Sequence, residues 1–69
     1  MLKYDKLLKE LEAQGWTTYR IRKENLIGQA TLFKLRAGGG MVDAVTLDRL
    51  CRVLNKQPGD LVEYVPDPE

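Results

Sequence analysis

Gly15, Gly28, the run Gly38-Gly39-Gly40 and Pro58 cut this chain into short pieces. Glycine tolerates the left-handed backbone with which helices end, and proline lacks the amide that a helix interior needs. Between these breaks the apolar residues recur at three- and four-residue spacing, the period of an amphipathic helix. The pattern predicts several short helices. A helix below about 12 residues is costly to nucleate alone, so these must share one core.

Leu2, Tyr4, Leu7, Leu8 and Leu11 predict a helix over residues 2–14, with Lys and Glu on its other side. Gln14-Gly15 ends it. Trp16 follows, positioned to pack on Ile21 or Leu26. Thr17-Thr18 supplies a hydroxyl that can cap the next helix, which runs from Thr18 to about Glu24. That segment is very polar. Ile21 is its clear core residue, with Tyr19 and the Arg22 stem as additions. Asn25-Leu26-Ile27-Gly28 forms a break whose two apolar residues turn inward, and Gly28 serves as N-cap to a helix from Gln29 to Arg36. The triple glycine is either a flexible connector or a place where amides approach a phosphate.

Met41 to Val45 reads as a loop tucked on the core, and Thr46 as the N-cap of a helix carrying Leu47, Leu50, Cys51 and Leu54 on one stripe. Cys51 lies within that stripe and reads as a small buried hydrophobe. Asn55 ends the helix, Pro58 opens a further turn, and Leu61 returns to the core. Val62-Glu63-Tyr64-Val65 alternates and is β-prone, and Pro66 and Pro68 stop it. With no other strand predicted, this segment is either a tail packed along the helices or a strand that pairs with a second copy.

Composition narrows the chemistry. Sixty-nine residues make a single domain, residues 1–69, whose core is small. The chain has no histidine, no serine and one cysteine, Cys51. Ser/His/Asp and Cys/His catalysis, an internal disulfide and the usual zinc sites are therefore all excluded. No metal, no cofactor and no enzymatic activity are expected. No apolar run approaches the roughly 20 residues of a membrane span, and Met1-Leu2-Lys3-Tyr4-Asp5 lacks a signal peptide's apolar core. A cytoplasmic protein is expected.

Net charge is only +1, but it is unevenly spread. From Thr17 to Gly40, Arg20, Arg22, Lys23, Lys34 and Arg36 face one acid, Glu24. From Gln57 onward, Asp60, Glu63, Asp67 and Glu69 face no base. Such a chain can meet a polyanion with one face only, and charge by itself carries no sequence information.

Five short helices with a tight helix–turn–helix at the second and third resemble the Cro and phage-repressor class of DNA-binding domain, the XRE family. The segment 17–38 is similar to the family's motif, with Ile21, Ile27, Leu32 and Leu35 at its core positions. Gln29-Ala30-Thr31-Leu32 is similar to the opening of its recognition helix, and Arg36-Ala37-Gly38 to its end. Thr46-Leu47-Asp48-Arg49-Leu50-Cys51 and the run from Asn55 to Val65 are similar to the end of a subgroup of compact, single-domain bacterial regulators. Two positions depart from the pattern: Arg22 stands where the family usually has a small residue, and Leu26 where its turn usually has Gly. The resemblance implies an all-α fold, a compact five-helix repressor-like domain with a short C-terminal extended strand over residues 62–69. It also implies a sequence-specific regulator of transcription that binds double-stranded DNA.

In such motifs the second helix lies in the major groove and the first crosses the backbone. Carried onto this chain, Gln29 is the best base-reader, since its amide can pair with adenine N6 and N7. Lys34 can donate to guanine O6 and N7, and Ala30 leaves room for close approach. Phe33 either contacts a thymine methyl or widens the core. Thr18, Tyr19, Arg20, Lys23, Thr31 and Arg36 are candidate phosphate contacts, which position without reading sequence. So few contacts point to a homodimer on a palindrome. The rival reading keeps the fold for a protein-binding adaptor or antitoxin-like module, which would use Phe33 and the acidic Asp60, Glu63 and Asp67.

Overall fold

A computed structural model describes residues 1–67. In chain order it contains β1 (Leu2–Lys3), α1 (Asp5–Ala13), α2 (Thr18–Lys23), α3 (Gln29–Arg36), α4 (Ala44–Leu54), α5 (Pro58–Leu61) and β2 (Glu63–Tyr64). The expected five-helix plan is present. The part of the tail prediction that falls on Pro68 and Glu69 lies outside the described residues.

Two expectations at the chain's ends need correction together. Leu2 and Lys3 do not begin a helix; they form β1, which pairs antiparallel with β2 in the register Leu2 opposite Tyr64 and Lys3 opposite Glu63. The Val65 amide donates to the Met1 carbonyl at 2.8 Å and extends the pairing. The β-prone tail thus finds its partner at the other end of its own chain, neither lying along the helices nor waiting for a second copy. Leu2-Lys3-Tyr4 satisfies a two-residue alternation as well as a helical spacing, so the apolar pattern alone could not separate the two. Helix α1 starts at Asp5, an acid placed where the helix dipole favours it.

Four successive helices stop by the same local device. Gly15 (φ 79°), Asn25 (φ 53°), Gly38 (φ 87°) and Asn55 (φ 57°) each take the left-handed conformation just beyond a helix. After each, an amide reaches back to a carbonyl of the last turn. Trp16 donates to Leu11 at 2.8 Å, Leu26 to Ile21 at 3.0 Å, Gly39 to Lys34 at 3.0 Å and Lys56 to Cys51 at 3.0 Å. This is the Schellman arrangement, which satisfies carbonyls that a helix end would leave open. It puts Trp16 over Leu11 and Leu26 over Ile21, and all four side chains are in the core.

The core is Tyr4, Leu7, Leu11, Trp16, Ile21, Leu26, Ile27, Leu32, Leu35, Leu50, Leu54 and Leu61, with Leu8, Val42, Leu47, Cys51 and Val62 half-buried around it. Burying each large side chain is worth about 1.5–3 kcal/mol. Every predicted helix stripe contributes, including the solitary Ile21 of α2. Helix α5 packs against α1 and α4. Gln14 Nε2 donates to the Leu54 carbonyl at 3.0 Å, and Lys56 lies 3.5 Å from Glu10, so the ends of α1 and α4 are also joined by polar contacts.

Three local predictions shift. Helix α4 begins at Ala44, not after Thr46: Asp43 is the N-cap and accepts from the Thr46 amide at 2.8 Å. Hydrogen bonding to Thr46, aided by the charge of Arg49, holds the Asp43 carboxyl below the usual carboxylate range. Of the apolar residues in the preceding loop, Val42 packs on the core and donates its amide to Tyr4 Oη at 3.3 Å, but Met41 and Val45 are 78% and 69% exposed. Finally, a Cβ at position 40 would lie 2.8 Å from the Leu35 amide nitrogen. Gly40 is therefore a close approach of the connector to α3, not a slack link at that point.

Candidate nucleic-acid interface

Helix α3 has two unlike sides. Leu32 and Leu35 are buried, while Gln29, Ala30, Phe33, Lys34 and Arg36 are exposed and Thr31 is half-buried. Gln29 and Phe33 are four residues apart, as are Ala30 and Lys34, so on a helix they form two adjacent rows. All four residues predicted to read bases thus share one uncovered face. Phe33 is 76% exposed, so it does not widen the core.

Gly28 is the N-cap of α3, in extended backbone (φ −60°, ψ 146°). With no side chain there, the first-turn amides have no capping partner from that residue. At the other end, Gly38 and Gly39 close the helix on Leu35 and Lys34.

The structure shows how the two departures from the family pattern are accommodated. The left-handed residue is Asn25, not Leu26. Asn tolerates that conformation better than other non-glycine residues, so it does the work of the expected glycine. Leu26 is free to be a buried apolar residue of the stop. Arg22 is exposed, and the inward position on α2 is Ile21, at 1% exposure.

Helix α2 carries the charge. Thr17, rather than Thr18, caps it and accepts from the Arg20 amide at 3.1 Å. Thr18, Tyr19, Arg20 and Lys23 are all exposed. Arg20 is held across the helix surface: its Nε lies 3.0 Å from Glu24 and its Cζ 4.0 Å over the Trp16 ring. Exposed pairs of this kind contribute up to about 1 kcal/mol, little enough for a stronger anion to displace Glu24. Lys23 Nζ stands 5.9 Å over the Tyr19 ring. Thr18 and Arg36, far apart in sequence, line one cleft with Glu12, Trp16 and Ile21. Among the described residues no group of three or more His, Cys, Asp or Glu could hold a metal ion, and no helix is long and apolar enough to cross a membrane.

One side chain outside the motif reaches it. Arg49, on α4, points Nη1 at the carbonyl oxygens of Asn25 and Leu26, each 3.5 Å away. Nothing in the local pattern around Arg49 marks it, because its partners lie more than twenty positions earlier.

No curated protein matches the sequence. The structure is similar to the crystal structure of the transcriptional regulator VanUg (Form II), with a TM-score of 0.75 and 27% identity over 96% of this chain and 87% of that one. The family of Cro/C1-type helix-turn-helix DNA-binding domains has a model that matches residues 6–67. That match spans both the motif and the packing helices behind it, and the chain belongs to this family.

Proposed function

We propose that the chain is a sequence-specific double-stranded DNA-binding regulator of transcription, with α3 in the major groove and no enzymatic activity. The observation that carries this reading is the uncovered face of α3. A helix whose inner side holds Leu32 and Leu35 in the core presents an amide, a methyl, an aromatic ring and an ammonium outward, at Gln29, Ala30, Phe33 and Lys34. Amide and ammonium supply the hydrogen bonds that distinguish adenine and guanine edges, and methyl and ring suit the thymine methyl. Thr18, Tyr19, Arg20, Lys23, Thr31 and Arg36 flank that face as phosphate contacts, and the similarity to a transcriptional regulator agrees. A domain of this size covers little more than a half-site, so the working form is a homodimer on a palindrome.

The adaptor reading draws on the exposed Phe33, but its acidic residues are partly engaged. Asp60 accepts from the Gln57 amide at 3.1 Å, and Asp67 pairs with the chain's amino terminus at 3.2 Å.

Fluorescence anisotropy with a pool of duplexes, read across a salt series, tests the proposal. Log affinity should fall steeply and linearly with log salt. Gln29→Ala should relax preference at one base pair, while Lys23→Ala should weaken all duplexes alike and reduce the salt slope by about 1. Two chains should bind per specific duplex. Salt-insensitive or undetectable binding, with Gln29→Ala silent, would move the function to protein partners.

A further inference from the structure

We infer that Arg49 is a positioning residue that sets how α3 leaves α2, and so the angle at which α3 meets a major groove. This rests on the DNA-binding reading above.

The two carbonyls that Arg49 faces belong to Asn25 and Leu26, the residues that stop α2 and turn the chain toward Ile27 and Gly28. No backbone amide of the described residues donates to either carbonyl. Leu26 is buried, so its carbonyl has restricted access to water and gains from a protein donor. One cationic nitrogen between two oxygens at 3.5 Å makes two long bonds, but a full positive charge strengthens both.

Arg49 sits on a helix that is held in the core by Leu50 and Leu54. It is half-buried and precedes Leu50, which is wholly buried. The Asp43 carboxylate at the start of α4 lies close enough to feel its charge. Helix α4 therefore offers a fixed post, and the guanidinium transfers that fixity to the turn. The backbone runs from Leu26 to the first base-reading residue, Gln29, in three steps. A small rotation at the Asn25–Leu26 carbonyls would swing Gln29 and Ala30 away from base edges while leaving the core of α3 buried.

Arg49 on this account holds protein carbonyls and neutralises no phosphate, which separates it from Lys23 or Arg36. The test compares wild type with Arg49→Met, which keeps the stem, and Arg49→Lys, which keeps the charge on a single ammonium. Arg49→Met should fold, bind a specific duplex about 3- to 30-fold more weakly and keep the wild-type salt slope. Arg49→Lys should fall between. Amide resonances of residues 25–30 should move in free Arg49→Met, while those of α1 hold.

A salt slope reduced by about 0.9 would make Arg49 a phosphate contact and overturn the inference. Wild-type affinity in folded Arg49→Met would do the same. If wild type binds no duplex, the proposed function fails; the resonances of residues 25–30 then decide the inference, and their staying in place overturns it. If Arg49→Met does not fold, the same affinity, slope and resonance readings on Arg49→Gln, which also removes the charge, decide it.

Discussion

Replacing Gly40 by alanine puts one methyl group where the connector crosses α3. The added Cβ would stand 2.8 Å from the Leu35 nitrogen, 3.0 Å from the Lys34 carbonyl carbon and 3.1 Å from Leu35 Cδ2. Ordinary contact begins at 3.4 Å, so the connector must retreat by about 0.6 Å from the nearest atom. Two of the three atoms are backbone of a helix whose last turn is closed by Gly38 and Gly39, and cannot swing aside as a side chain would. Overpacking of this kind costs about 1–3 kcal/mol. The neighbouring glycines serve as internal controls. Gly39→Ala meets nothing within 4 Å and should be neutral or stabilise by up to about 1 kcal/mol through the unfolded chain. Gly38→Ala also meets nothing but must hold φ 87°, costing about 1–2 kcal/mol by backbone strain alone. Urea unfolding followed by far-ultraviolet circular dichroism should rank Gly39→Ala as most stable and the other two below wild type. Only Gly40→Ala should also disturb the amide resonances of Lys34 and Leu35. Equal stability of the Gly39 and Gly40 variants would refute the close approach.

Three other outcomes are expected. Asp43→Ala should lower the urea midpoint at neutral pH, where the ionised carboxylate caps α4. Because folding depresses that pKa, its contribution is present above the carboxyl's unfolded value and lost as pH falls through the folded one. The gap between Asp43→Ala and wild type should therefore narrow in acid, while Asp43→Asn, which keeps an uncharged acceptor, should show no such loss at this site as pH falls. Phe33→Ala should leave stability within about 0.5 kcal/mol, as suits a ring in solvent, yet weaken duplex binding in an anisotropy titration. Asn25→Gly should match or exceed wild-type stability in thermal melts, whereas Asn25→Ala should lose about 1–2 kcal/mol to the left-handed backbone.

The helices were legible because their signals are local. Gly15 and Asn55 stop α1 and α4 as predicted, Pro58 opens α5, and the stripe of Leu47, Leu50, Cys51 and Leu54 faces the core. The outward residues of α3 were legible by subtraction once Leu32 and Leu35 were given to the core. Contacts across the chain were not. Leu2 pairs with Tyr64, Gly40 presses on Leu35, and Arg49 reaches Asn25, and none of these leaves a periodic mark in its own neighbourhood. The sequence offers both Asp43 and Thr46 as caps for α4, good capping residues at helical spacing, and only the extended backbone at Asp43 chooses between them. The left-handed residue of the turn is Asn25, one position before the place where the family usually has Gly, and no apolar period marks it.

The β1–β2 pairing has a consequence for how the molecule comes apart. Each helix stop is built from residues within six positions of one another, so those structures form and re-form within the time of a helix turn. The Leu2–Tyr64 seam joins positions at opposite ends of the described chain and must wait for everything between them. Closing so long a loop is entropically costly until the helices have shortened it. Contacts made that late are absent from the folding transition state. Weakening the seam should therefore leave the refolding limb of a chevron plot in place and raise the unfolding limb, making the seam the latch that governs how long the folded domain lasts.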